Sequence, residues 1–171
     1  MRADKIYLVG FMGAGKTTLA VALGTKLRWR VEDLDAVIER REGARVADIF
    51  GSQGEAHFRA AEEAALRSLL PARQVVVATG GGAFMAAENR SLMNRDGVCF
   101  WLDVSLTRVT TRLRVGDDRR PLAADRAAME RLFHARQSTY RKARVRLDAE
   151  HATTSQLVKQ VVAWLDERQA S

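Results

Sequence analysis

The residues best equipped for chemistry in this chain stand in one run of eight: Gly10-Phe11-Met12-Gly13-Ala14-Gly15-Lys16-Thr17. Their spacing is G-x-x-x-x-G-K-[ST], the pattern of a loop that cradles polyphosphate. Glycine and alanine let the backbone turn tightly and lie close against a ligand. The loop amides can then converge as an anion nest, reinforced by the positive end of the helix that follows. Lys16 adds a full charge for the β- and γ-phosphates of a nucleotide. Thr17 offers a hydroxyl to Mg²⁺, and Thr18 a second hydroxyl toward the α-phosphate. The pattern predicts nucleotide binding, and many reactions share it.

Further groups suit the transfer of a phosphoryl group to a small acid. Asp33 and Asp35 close the run VEDLD. In extended backbone, residues i and i+2 point the same way, so both carboxylates are expected to face one crevice beyond a strand end. One would serve Mg²⁺ or its waters, and the other would hold an acceptor hydroxyl and take its proton. Either could instead cap the helix formed by AVIERRE. Arg59 and Glu62 are three apart on an alanine- and glutamate-rich stretch and are expected to pair, which would make Arg59 a fixed fork for a carboxylate. The competing expectation is an exposed arginine on a solvated helix. Phe50 and Phe58 read as core.

Thr79-Gly80-Gly81-Gly82 follows the apolar run VVVA and permits close approach of a ligand to backbone. No aspartate ends that run, which leaves the metal-side role to Asp33. Residues 115–125, VGDDRRPLAAD, read as a charged loop between two helices. Such a loop can close over a nucleotide, and Arg120 would then reach the transferring phosphoryl. Arg136 shares a helical stripe with Met129, Leu132 and Phe133 and precedes Tyr140 by one turn. An arginine on an apolar stripe needs an anion to offset its burial.

The elements that must position these groups alternate. Strand patterns cover Lys5–Val9, Arg30–Glu32, Gln74–Ala78, Val98–Leu102 and Arg144–Leu147. Helical patterns cover Lys16–Leu27, Glu55–Leu70, Arg126–Tyr140 and Ser155–Arg168. VVVA and CFWL are continuous apolar runs, as expected of strands covered on both faces. The alternation predicts βαβ units, a parallel sheet and a single domain over 1–171.

Composition narrows the setting. With 171 residues, of which 47% are hydrophobic, one domain with a sizeable core is expected. No run approaches the ~20 apolar residues of a membrane span, and MRADKIYLVG is too short an apolar stretch for a secretory signal. The single cysteine, Cys99, excludes a disulfide framework. A cytoplasmic location follows. The net charge is +7, which could serve nucleic acid. The basic residues are interleaved with acids, however, and the expectation is no nucleic-acid and no membrane partner. No long apolar stripe demands a second subunit, so a monomer is expected.

In sum, GFMGAGKTT, the Asp-Leu-Asp of VEDLDAVI, ADIFGSQGEAHFR with its following glutamate, TGGG, RRPL and ARQSTY occur in an order and spacing that resemble the shikimate kinases, small P-loop kinases. The resemblance covers nearly the whole chain, about residues 6–148. It implies transfer of the ATP γ-phosphoryl to the 3-hydroxyl of shikimate, with Mg²⁺, on the route to chorismate and aromatic amino acids. It implies that Asp35, Arg59, the glycines Gly80, Gly81 and Gly82, and Arg136 bind shikimate, with both arginines on its carboxylate. Gly13, Ala14, Gly15, Lys16, Thr17 and Thr18 would hold the nucleotide phosphates, Arg112 the adenine, and Arg120 would act from a lid at about 113–125. Asp33 would meet Mg²⁺ through water. The implied fold is a three-layer α/β/α P-loop NTPase with a five-stranded parallel sheet of order 2-3-1-4-5 and a shikimate-binding segment at about 33–62. Two departures are RPLA for the commoner RPLL and WRV before the aspartates. A related kinase with another acid as acceptor, such as gluconate, and a nucleotide-gated nucleic-acid module are the alternative readings.

Overall fold

The computed structural model describes residues 4–113 and 126–169. In chain order the elements are β1 (Lys5–Val9), α1 (Lys16–Leu27), β2 (Arg30–Asp33), α2 (Leu34–Glu42), α3 (Val46–Ser68), β3 (Val75–Ala78), α4 (Ala87–Asp96), β4 (Val98–Asp103), α5 (Leu106–Leu113), α6 (Arg126–Tyr140), β5 (Val145–Asp148) and α7 (Thr154–Gln169). The five strands form one sheet in the order β2-β3-β1-β4-β5, and every pairing is parallel. This is the three-layer α/β architecture the alternating pattern predicts.

The central strands explain why their sequences are apolar throughout. Every residue of β1 and β3 is buried, as are the first five of β4. Side chains of a strand point alternately to the two faces, so burial at every position requires helices on both. The outer strands β2 and β5 carry Arg30, Glu32, Arg146 and Asp148 and are only partly buried.

Several boundaries differ from the expected ones. Gln74 adopts φ 51 and stands outside β3, because the left-handed region breaks a ladder. β2 runs one residue further, to Asp33, and β4 and β5 likewise end on Asp103 and Asp148. α2 begins at Leu34, not at Ala36, with consequences for the aspartates. α3 starts at Val46, nine residues before the expected helix, and is broken at Gly54 (φ 81, ψ 176). α4 has no clear counterpart in the sequence pattern: AENRSLMNRD offers only Leu92 and Met93 as an apolar contact with the sheet.

The strand order places the site. β1 lies at the centre and pairs with β3 on one side and β4 on the other. Its continuation, residues 10–15, therefore emerges at the point where successive crossovers diverge, the position at which open α/β sheets bind ligands. Asp33 is in register with Ala78 on the neighbouring strand. The carboxylate that might have ended β3 is thus supplied one strand further out.

Candidate active site

The turn between β1 and α1 is shaped for an anion. Gly15 immediately precedes α1 with φ 100, a conformation that costs other residues their Cβ clearance. Ala14 N–H donates to the Phe11 carbonyl at 3.2 Å, closing the loop. Lys16 is 93% buried, with 7% of its surface exposed. Its Nζ donates to the carbonyls of Gly10 and Phe11, both at 2.8 Å, so the ammonium lies back across its own loop. Arg112, on α5, donates through Nη1 to the carbonyls of Gly13 (3.1 Å) and Ala14 (2.9 Å). A residue 98 positions away thereby braces the loop from outside.

The two aspartates do not share one extended segment. Asp33 ends β2 and caps α2: its Oδ1 accepts from the N–H groups of Asp35 (3.0 Å) and Ala36 (3.4 Å). Its Oδ2 accepts from the Thr17 hydroxyl at 3.0 Å. Asp33 therefore caps and faces the phosphate loop at once, with one oxygen for each task. Asp35 lies in the first turn of α2, where its carboxylate also complements the helix dipole. Thr17 and Asp33 together form a hard-oxygen pair suited to Mg²⁺. Among the described residues, no three of His, Cys, Asp and Glu cluster as a cage. A cation here would take most of its ligands from phosphate and water, which is how Mg²⁺ is usually held.

The acceptor side gathers around the glycine turn that follows β3. A Cβ built on Gly80 would stand 3.0 Å from Asp35 Oδ1. One on Gly81 would stand 3.1 Å from Arg136 Nη1, and one on Gly82 would stand 2.6 Å from both terminal nitrogens of Arg59. None of the three glycines has a positive φ. They are required by space: each absent side chain leaves room for one charged group. Arg59 donates from Nη1 to Glu62 Oε2 at 2.8 Å, and Glu62 is 1% exposed. Burial pushes the Glu62 carboxyl above its ordinary value. Arg59 pulls it back, Asp35 adds to the rise, and Arg136 opposes it. The expected pair is present, and Arg59 is only partly exposed, at 32% of its side chain.

Arg136 lies over the Phe11 ring at 5.9 Å, and Arg59 over Phe58 at 5.2 Å. Phe50 and Phe58 pack together with their rings tilted by 31° and centroids 4.4 Å apart. Both also line the cleft, so they are wall as well as core. A single cleft of about 520 Å³ is lined by residues 13–18, Asp33, Asp35, Arg59, Glu62, residues 79–82, Arg112 and Arg136. That volume suits a small organic ligand.

The structure thus gathers every site residue expected from the sequence except Arg120. Arg120 and the lid stretch lie outside the described residues, Leu113 apart, which lines the cleft. Sequence reasoning missed Ala149, Ala152, Thr154 and Leu157, which border the same cleft after β5. Their only signal is position, just past a strand's carboxyl end. It also gave no role to Tyr140, whose hydroxyl donates to the Gly81 carbonyl at 2.5 Å.

Comparison with known proteins bears on this cleft. Residues 12–166 match the family model described as shikimate kinase. A shikimate kinase from a Sulfurihydrogenibium species is 39% identical over 163 residues, covering 95% of this chain and 98% of that protein. One from Geobacter metallireducens is 37% identical, covering 95% and 92%. Among solved structures, the shikimate kinase from Acinetobacter baumannii in complex with shikimate superposes with a TM-score of 0.91 at 31% identity, covering 98% and 96%. A gluconokinase from Sinorhizobium meliloti, at 14% identity and a TM-score of 0.61, shares the fold alone.

Proposed function

The chain belongs to the shikimate kinase family, and from that premise we propose that the cleft transfers the γ-phosphoryl of ATP to the 3-hydroxyl of shikimate, giving shikimate 3-phosphate and ADP. The protein is a phosphotransferase with an alcohol acceptor, and the proposal concerns which residues perform the transfer. The observation that carries it is the row of three glycines, each leaving space for one of Asp35, Arg136 and Arg59, in the same cleft as the phosphate loop.

Phosphoryl transfer needs little covalent help from protein. It needs the acceptor oxygen held in line with phosphorus and negative charge stabilised as the bond breaks. Arg59, fixed by Glu62, and Arg136 present two guanidinium forks to the acceptor's carboxylate. Asp35 stands beside Gly80, where it can accept a hydrogen bond from a ring hydroxyl and take its proton as it attacks. The loop amides from Gly13 to Thr18 and the Lys16 ammonium draw negative charge to the β- and γ-phosphates. Lys16 would exchange its two carbonyl partners for phosphate oxygens. Thr17 directly, and Asp33 through water, would hold Mg²⁺, which when bound neutralises phosphate charge. Arg112 borders the cleft beside Gly15 and is assigned to the adenine.

We read residues 1–171 as one kinase domain with its acceptor segment at about 33–62. It would work as a cytoplasmic monomer without nucleic-acid or membrane partners. Two observations support the setting: Cys99 is buried as a free thiol, and no helix among the described residues is long and apolar enough to cross a membrane. The test is ADP release from ATP and Mg²⁺ with and without shikimate. Turnover that depends on shikimate is expected, and gluconate at the same concentration should give none. Equal ADP release with and without shikimate would overturn the assignment.

A further inference from the structure

The glycine turn poses a mechanical problem. Three consecutive glycines form the least constrained backbone a chain can have, yet here they must hold a surface against three charged side chains. Hydrogen bonds to their carbonyls show what holds them. The Gly80 carbonyl accepts from Ala83 N–H at 3.2 Å, and the Gly82 carbonyl from Met85 N–H at 3.0 Å. Both are local turn bonds. The Gly81 carbonyl accepts instead from the Tyr140 hydroxyl at 2.5 Å, across 59 positions of sequence. Downstream, Arg90 Nη1 donates to the carbonyls of Phe84 and Met85, both at 3.1 Å. The turn is therefore tied at its far end by α4 and at its middle glycine by α6.

Tyr140 is built as a rigid post. Its side chain is fully buried, and its ring stacks on Trp101 of β4 with centroids 6.2 Å apart. It lies one helical turn after Arg136, whose Nη1 stands 3.1 Å from the place a Gly81 Cβ would occupy. One face of α6 therefore touches Gly81 twice, with a phenol on its carbonyl and a guanidinium beside its Cα. Fixing the carbonyl of a planar trans peptide also fixes the direction of the following N–H, here that of Gly82.

We propose that Tyr140 is a positioning residue for the acceptor: by fixing the Gly81 carbonyl, its hydroxyl holds the glycine turn in register with Arg136 and Arg59. This rests on the assignment of that turn to the acceptor's carboxylate. The turn also touches the phosphate loop, where the place of a Gly81 Cβ is 3.4 Å from Met12 N, but both guanidinium forks it keeps in register face the acceptor, so the larger effect falls on that substrate. Burial pushes the phenol up to about 12, against the pull of Arg136, so the hydroxyl remains a donor throughout the working pH range.

The test is Tyr140→Phe, which removes one oxygen and keeps the ring. The expected result is a rise of about tenfold in KM for shikimate, the scale of one buried hydrogen bond. The KM for ATP should stay within about twofold of wild type and kcat should change little. Amide exchange at Gly82 should quicken. A core variant, Leu147→Val, controls for general loosening: its melting point should fall with no change in shikimate KM. An unchanged shikimate KM in folded Tyr140→Phe overturns the proposal, as does an equal rise in both KM values. Arg136→Lys separates this from the parent assignment. If Arg136→Lys raises shikimate KM and Tyr140→Phe does not, the positioning role alone falls. If neither does, the acceptor assignment falls with it.

Discussion

Lys5 and Lys16 stand at opposite ends of β1, and both are buried. Lys5 is fully covered and donates to the carbonyls of Leu69 (2.8 Å) and Leu70 (3.1 Å) and to Asp96 Oδ2 (2.6 Å). Tyr7 adds a hydrogen bond to the same Asp96 oxygen at 2.5 Å, and Arg73 pairs with the other oxygen at 3.1 Å. Lys16 also donates to two carbonyls, but it lines an open cleft. At the amino edge of the sheet the chain pairs its own charges within the fold. At the carboxyl edge it arranges cations along a cavity where phosphate and carboxylate can compete for them. Burying a lysine is costly in either place, and only the second place returns that cost as affinity for a ligand.

The contrast is broken most severely at Lys16. Lys16→Ala should lower kcat by about 1,000-fold or more, since a charge aimed at the transferring group is lost, while the melting point should hold or rise. Near-normal turnover would refute the phosphate role. Arg59→Ala comes next. It removes one guanidinium from the acceptor and leaves Glu62 buried without it, and truncation of such a pair costs about 2–4 kcal/mol. Shikimate KM should then rise about 30- to 800-fold with ATP KM nearly unchanged.

At the opposite edge, Asp96→Asn should do the reverse. Leaving Lys5 buried without its carboxylate costs about 3 kcal/mol, or about 6–12 °C in melting temperature for a chain of this size, with kinetics intact at 25 °C. Burial acts to raise the Asp96 pKa, but Lys5, Tyr7 and Arg73 together overcome it and hold it below 3.8. A depressed carboxylate stabilises above its unfolded value, and that contribution is lost as pH falls through the folded value. The gap between wild type and Asp96→Asn should therefore close below about pH 4 in pH-dependent melts.

Glu62 has the opposite sign and the smallest effect. Its raised pKa means its stabilising contribution is present below the unfolded value and lost as pH rises through the folded one. Glu62→Gln should accordingly melt no lower than wild type at pH 7, yet raise shikimate KM severalfold by loosening Arg59. A lower melting point at pH 7 with unchanged KM would contradict both halves.

Much of the carboxyl edge was legible in the chain because it is written at short range. The phosphate loop is eight residues, the glycine turn three, and Arg59 with Glu62 a single helical step. The parallel sheet followed from alternation, whereas its strand order, β2-β3-β1-β4-β5, came only with the resemblance to the shikimate kinases. The amino edge was not legible: Lys5 meets Asp96 across 91 positions, and two of its partners are carbonyls, which every residue carries. Tyr140 was obscure for the same reason. The aspartate pair was half legible. Spacing of two suggested a shared strand, but Asp33 N–H acceptance starts α2 at Leu34 and sets Asp35 in a helix. α4 escaped notice because only two of its apolar side chains meet the sheet.

The break in α3 carries a consequence of handedness. Gly54 has φ 81 and ψ 176, and nothing stands within 4 Å of where its Cβ would be. The position is barred to L-residues by torsion, not by crowding. Its mirror image is ordinary extended backbone, so a D-alanine placed there by chemical synthesis would sit unstrained and restrict the unfolded chain. The helix that delivers Phe58, Arg59 and Glu62 is thus joined to its first half by a residue whose stereochemistry, more than its size, the fold selects.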